Sequence, residues 1–211
     1  MNPAPRRPRV ERLTGAAMLP LLAQLARLRM GVFRDWPYLY AGDEAYEQAY
    51  LQTYARSPRA MLAVVRDGDE IVGASTCLPL ADETAEIAQP FRDLGLDPAA
   101  WFYFGESVLL PAWRGQGLGA AFFEAREAHA RDDGQCDFAA FCSVRRAADH
   151  PARPADWVPL DGFWRRRGFV PARGLSCRLA WRETGAEHDS THTLDFWAKP
   201  LRDRPLPPIL A

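Results

Sequence analysis

Residues 111–120 read P-A-W-R-G-Q-G-L-G-A. Three glycines, at 115, 117 and 119, stand between an expected strand and an expected helix. Glycine there lets the chain turn tightly and brings its backbone close to a ligand. The start of the following helix leaves several N–H groups without intrahelical partners, and its dipole favours negative charge. A diphosphate suits such a turn, and Arg114 at its head adds a charged donor. A tight strand-to-helix turn with no ligand fits the same glycines. Two other glycine loops are excluded. A P-loop needs Lys and then Ser or Thr after its last glycine, where this chain has Ala120 and Ala121. A dinucleotide fingerprint forced from Gly115, Gly117 and Ala120 needs an acidic residue at the end of the next strand, and that strand ends Cys142-Ser143-Val144.

Other residues carry proton or charge chemistry. Glu106 lies on the expected central strand and offers a carboxylate base, or else a partly exposed strand carboxylate. Tyr103, Ser107 and Cys142 are spare proton-handling groups, with strand packing as their plain reading. Residues 34–40, R-D-W-P-Y-L-Y, combine aromatics with one carboxylate. That mixture attracts a cationic amine, or packs as a surface loop on the second helix. Asp82, Glu83 and Glu86 form an acidic face that attracts an amine or is simply solvated. Arg165–Arg167 offers positive charge to a phosphate or forms a solvated helix face. Arg145, Arg146 and His150 begin a long loop, which reads as a lid or as part of an acceptor site. His188 and His192 are four apart with no further ligand nearby, so no metal site is expected.

The elements that must position these groups follow from periodicity. Apolar residues at helical spacing predict a helix over 16–30, and Asp43 caps a second helix running to about Tyr54. A hairpin follows, with strands 60–65 and 71–78 about the turn Asp67-Gly68-Asp69. Residues 81–94 are modestly helical. Residues 101–110, W-F-Y-F-G-E-S-V-L-L, form the strongest strand, with Gly105 inviting a bulge and Pro111 ending it. A helix over 118–131 and a strand over 138–144 complete one βαβ unit. A short helix over 160–167 and strands over 175–181 and 193–197 close the fold. The sum is an α/β domain with a mixed, mostly antiparallel central sheet flanked by helices. It spans 11–200, between a loose N-terminal tail (1–10) and an irregular C-terminal tail (201–211).

The chain has 211 residues, 48% of them apolar, enough for a packed core. Its 26 basic and 27 acidic residues give a net charge of −1, which argues against a nucleic-acid partner and against charge-driven disorder. No apolar run reaches about 20 residues, so no membrane association is expected. Residues 1–12 do not read as a signal peptide. The four cysteines form no C-x-x-C pair and read as reduced, which suits a cytoplasmic location.

Arg114, Gly117 and Gly119 fill a Q/R-x-x-G-x-G/A pattern that resembles motif A of the GNAT acyltransferase superfamily. Phe163–Phe169, F-W-R-R-R-G-F, resembles that family's closing Y-x-x-x-G-F. The order of elements over roughly 10–200 is also similar. The resemblance implies the acyl-CoA N-acyltransferase (GNAT) fold. It also implies transfer of an acetyl group from acetyl-CoA to a primary amine of a small molecule or peptide, by direct attack through a tetrahedral intermediate. By the same resemblance, amides of Arg114, Gly115, Gln116, Gly117, Leu118, Gly119 and Ala120 hold the CoA diphosphate. Val108, Leu109 and Leu110 pair with the pantetheine arm, and Glu106 is the base. Trp164 stands where the family places an acidic tyrosine. This departure keeps open the alternative of a non-catalytic acyl-CoA-binding module. The resemblance leaves open whether the chain forms a homodimer.

Overall fold

The computed structural model describes residues 9–210; the expected N-terminal tail lies, up to residue 8, outside the described residues. One seven-stranded sheet organises the chain, in the order β1-β2-β3-β4-β5-β7-β6. Its strands are β1 (Glu11–Thr14), β2 (Met61–Asp67), β3 (Glu70–Pro79), β4 (Trp101–Leu109), β5 (Phe138–Val144), β6 (Val170–Trp181) and β7 (Ser190–Pro200). Every neighbouring pair is antiparallel except β4 and β5.

Among the described residues, five α-helices flank the sheet: α1 (Leu22–Phe33), α2 (Glu44–Arg56), α3 (Ala85–Asp93), α4 (Leu118–Asp133) and α5 (Asp161–Arg165). Local chemistry sets their ends. The Asp43 carboxylate accepts from the Tyr46 amide at 2.9 Å and caps α2. Gly117 and Gly134, both left-handed, bracket α4. Two cores lie on opposite faces of the sheet. The first holds Leu25 and Leu28 of α1, Leu51 and Tyr54 of α2, and Phe91 of α3. The second holds Leu118, Phe122 and Phe123 of α4 against Phe102 and Phe104 of β4.

Two irregularities in β4 shape the rest. Opposite β3, Ser75 pairs with Ser107 and Cys77 with Phe104, so Gly105 and Glu106 together face Thr76. This is the bulge that Gly105 invites, and only glycine fits there. A Cβ would lie 2.2 Å from the Tyr54 hydroxyl and 2.4 Å from Thr76 Oγ1. On its other edge β4 pairs with β5 only from Trp101↔Phe138 to Tyr103↔Ala140. Beyond those three pairs the two parallel strands diverge.

The structure corrects several boundaries. β1 was not expected as a strand; its sequence E-R-L-T has no apolar alternation, and pairing with β2 alone makes it one. β6 starts at Val170, five residues earlier than its apolar pattern. Pro171 and Gly174 mask the start, and the register shifts between Pro171 and Ser176. A 3-10 segment, Gly15–Leu21, leads into α1. Together they form 19 residues long and apolar enough by composition to cross a membrane, contrary to the sequence expectation. Here that stretch buries Met18, Leu25, Ala26 and Leu28 in the first core. After Pro200 the chain is irregular apart from a 3-10 turn, Pro208–Leu210, but it is docked, with Leu201 and Leu210 buried.

Candidate active site

The divergence of β4 and β5 opens a cleft of about 1260 Å³. Its walls come from the bulge of β4, from the C-terminal half of β5, from α4 and α5, and from the 145–159 loop. The glycine turn follows β4 directly. Gly115 (φ 76°) and Gly117 (φ 82°) are left-handed, and a Cβ on either would meet nothing within 4 Å. Alternating hands of this kind aim successive N–H groups into one concavity. The Arg114 amide donates to Pro111 and the Ala120 amide to Gly117. Among the described residues, the five amides from Gly115 to Gly119 have no acceptor, and residues 114–117 are exposed. The turn therefore has both the donors and the open space that a diphosphate requires.

Of the three residues expected beside it, Leu110, just past β4, is engaged elsewhere, since its amide donates to Val72 at 2.9 Å. Strand alternation turns Val108 the same way and Leu109 toward the opening. Arg114 Nε bonds the Leu109 carbonyl at 3.1 Å, which ties the turn to the strand edge.

Glu106 lines the cleft and is buried. Its Oε2 accepts from Arg29 Nη1 at 2.5 Å, and the same guanidinium gives Nε to Glu47 at 2.5 Å. Burial works against the Arg29 charge, but Glu106, Tyr50 and Glu47 outweigh it and hold the cation firmly. Glu106 Oε1 has no partner. The bulge thus holds one carboxylate oxygen, buried and without a hydrogen-bond partner, on a fixed side chain. Ser107 bonds Ser75 at 2.9 Å, and the Tyr103 hydroxyl lies 3.1 Å from Cys142 Sγ, at the point where the strands part. Burial raises the Tyr103 phenol well above its ordinary range, so it stays protonated.

The long loop walls the other side. Arg146 donates to the Pro37 and Tyr38 carbonyls at 2.6 and 2.8 Å and pairs with Glu183 at 2.5 Å. It locks residues 34–40 to the β6–β7 hairpin. Trp36 packs on Trp157 and His150, with the Arg146 guanidinium 5.9 Å from its ring. The aromatic loop is therefore already engaged with a cation of the chain. Trp164 is wedged between Phe141 and Trp197. Arg165 and Arg167 lie over Trp197 and Phe163, so the basic run is largely packed on aromatics.

The expected acidic face is not one surface. Glu83 is buried, 3.4 Å from both the Tyr50 and Tyr54 hydroxyls, and accepts from the Thr84 amide at 2.6 Å. Burial pushes its carboxyl up to about 7. Asp82 accepts from Ser57 at 2.6 Å, and Glu86 is exposed.

Sequence reasoning missed Arg29, Glu47 and Arg126. A signal existed, because Arg29 lies four after Leu25 and Arg126 four after Phe122, each a charge on an apolar helical stripe. Arg126 lines the cleft at 2% exposure, and burial pulls its guanidinium down to about 10, still cationic at neutral pH.

The acetyltransferase (GNAT) family model matches residues 25–169. No match was found among curated proteins. Among solved structures, an acetyltransferase of the GNAT family from Streptococcus pneumoniae aligns with a TM-score of 0.56 at 15% identity, covering 91% of this chain and 99% of that one. An N-acetyltransferase from Staphylococcus aureus Mu50 aligns with a TM-score of 0.55 at 11% identity, covering 92% and 99%. ElaA of Escherichia coli gives 0.54 at 15% identity, covering 91% and 99%. At such identities these likenesses establish the fold alone.

Proposed function

Because the chain belongs to the GNAT acetyltransferase family, whose members generally move acyl groups from acyl-CoA to amines, we propose that it is an N-acetyltransferase using acetyl-CoA. The acceptor is a primary amine of a small molecule or peptide. One observation supports this reading above the rest, namely five unpartnered amides at Gly115–Gly119 directly after Arg114, which lines the cleft where β4 and β5 part. Those amides and Arg114 would hold the diphosphate, and the Leu109 edge would receive the pantetheine arm. The thioester would then lie beside the bulge. Holding thioester and amine together there removes much of the entropic barrier, and pre-aimed main-chain donors stabilise charge developing on the acyl oxygen.

Glu106 takes the amine proton through its free Oε1 while Arg29 fixes the other oxygen. Glu106→Gln is expected to lower turnover by about 10²–10⁴-fold with CoA affinity unchanged. Wild-type turnover in that variant would remove Glu106 from this role. The donor site is tested with Gly117→Asp, which sets a side chain and a negative charge in the nest. Calorimetric CoA affinity is expected to fall by at least about tenfold. Survival of wild-type affinity would refute the assignment.

The second reading, a non-catalytic acyl-CoA-binding module, draws on Trp164, whose indole delivers no proton to a leaving thiolate at neutral pH. Tyr103, beside Cys142, is the nearest alternative acid on β4. Thiol release from acetyl-CoA across a panel of amines separates the two readings. The free cysteines Cys77, Cys136, Cys142 and Cys177 suit a reducing, cytoplasmic setting.

A further inference from the structure

Of the two buried arginines among the described residues, Arg29 bonds two carboxylates and Arg126 bonds none. Its Nε and Nη2 have no hydrogen-bond partner among the described residues. The Phe104 and Phe123 rings approach its Cζ at 4.7 and 4.4 Å. Such contacts offset only part of the cost of burying an ion. Aromatic rings also offer no acceptor to the N–H edge of a guanidinium. What satisfies that edge is a planar, two-oxygen anion, that is, a carboxylate.

The position of Arg126 narrows the source of that anion. It lies on α4, eight residues past Leu118 and so about 12 Å along the helix from the glycine turn. That is deep in the cleft, away from the nest. It belongs to the face of the sheet covered by α4, with Phe104 and Phe123, whereas Arg29, Tyr50 and Tyr54 lie on the opposite face. Arg126 and the glycine turn share α4, the turn at its start and Arg126 along it. Of the other arginines lining the cleft, Arg145 pairs with Asp195 and Arg146 with Glu183, whereas Arg114, Arg153 and Arg173 are more exposed than Arg126 and pair with no carboxylate among the described residues.

The geometry points to a second donor class: acyl-CoA thioesters whose acyl chain ends in a carboxylate, held by the Arg126 fork. The inference rests on the reading of the cleft as an acyl-CoA site and adds a specificity to it. Succinyl-CoA presents such a carboxylate, and butyryl-CoA is its neutral counterpart of equal chain length.

The test measures equilibrium binding of CoA, succinyl-CoA and butyryl-CoA to the full chain, which needs no known acceptor. Wild type is expected to bind succinyl-CoA at least about tenfold more tightly than butyryl-CoA, the value of a hydrogen bond to a charged partner. Arg126→Met is expected to abolish that difference by weakening succinyl-CoA alone. Its melting temperature without ligand should match or exceed wild type, because an unpaired buried charge is gone. Should that variant fail to fold, the wild-type ratio alone decides. Equal binding of the two esters to wild type, with CoA also bound, overturns this inference and leaves the donor site standing. Equal weakening of both esters by Arg126→Met also overturns it. Failure of all three ligands to bind overturns the donor site and this inference together.

Discussion

The Glu83 carboxyl has a thermodynamic signature that a surface carboxylate lacks. Its ordinary value is near 4.5, and burial raises it to about 7 in the folded chain. The folded state therefore holds the proton more tightly than the unfolded state. Glu83 contributes full stability below about pH 4.5, and that stability is lost as pH rises through 7. Glu83→Gln removes the titration while keeping a hydrogen-bonding side chain. Between pH 4.5 and 8 the stability difference should move in favour of the variant by about 3 kcal/mol, as urea unfolding would show. Parallel curves for the two proteins would mean that Glu83 ionises normally. Little of this was legible in the sequence, where Asp82, Glu83 and Glu86 look equivalent. Two tyrosines of α2 and one helix turn decide which of the three is buried. Arg29 and Arg126 were overlooked for the same reason, since their partners, or the lack of them, lie on elements far away in the chain.

Among the elements, β4 and α4 were the most readable, because punctuation residues set them. Pro111 ends the strand, left-handed Gly117 starts the helix, and left-handed Gly134 ends it. Strand β5 was read to its exact ends, Phe138–Val144, as an uninterrupted apolar run. Strands whose identity depends on pairing, β1 and the start of β6, were not readable from local pattern. The bulge lies between these cases. Gly105 flagged it, but only the register shift shows that it carries Glu106 toward α1. Gly105→Ala forces a methyl group against the Tyr54 hydroxyl and Thr76 Oγ1. Overpacking of that kind should destabilise the chain by about 1–3 kcal/mol. A crystal structure of the variant should show α2 displaced or the bulge ironed out, with turnover reduced through misplacement of Glu106. Wild-type stability and turnover would mean that the bulge is not tightly held.

Across the whole molecule, the cleft divides the sheet into a β1–β4 half and a β5–β7 half joined by three residue pairs. A ligand held by both halves binds the folded state only. CoA at one hundred times its dissociation constant should add about 2.7 kcal/mol of stability, raising the melting temperature by roughly 5–10 °C. A thermal shift absent from wild type at saturating CoA would count against the cleft as its site. The order of elements was legible at this scale, but the size of the cleft was not, because the 145–159 loop and residues 34–40 carry no periodic pattern. Arg146 fastens one to the other by hydrogen bonds, and Trp36 packs on His150 and Trp157. The parting of β4 from β5 also governs which shapes the chain can choose among. A strand edge lacking its neighbour along one margin is completed by something thread-like, with carbonyls and amides at peptide-like intervals. Such a margin therefore suits a linear chain better than a rigid or ring-shaped one.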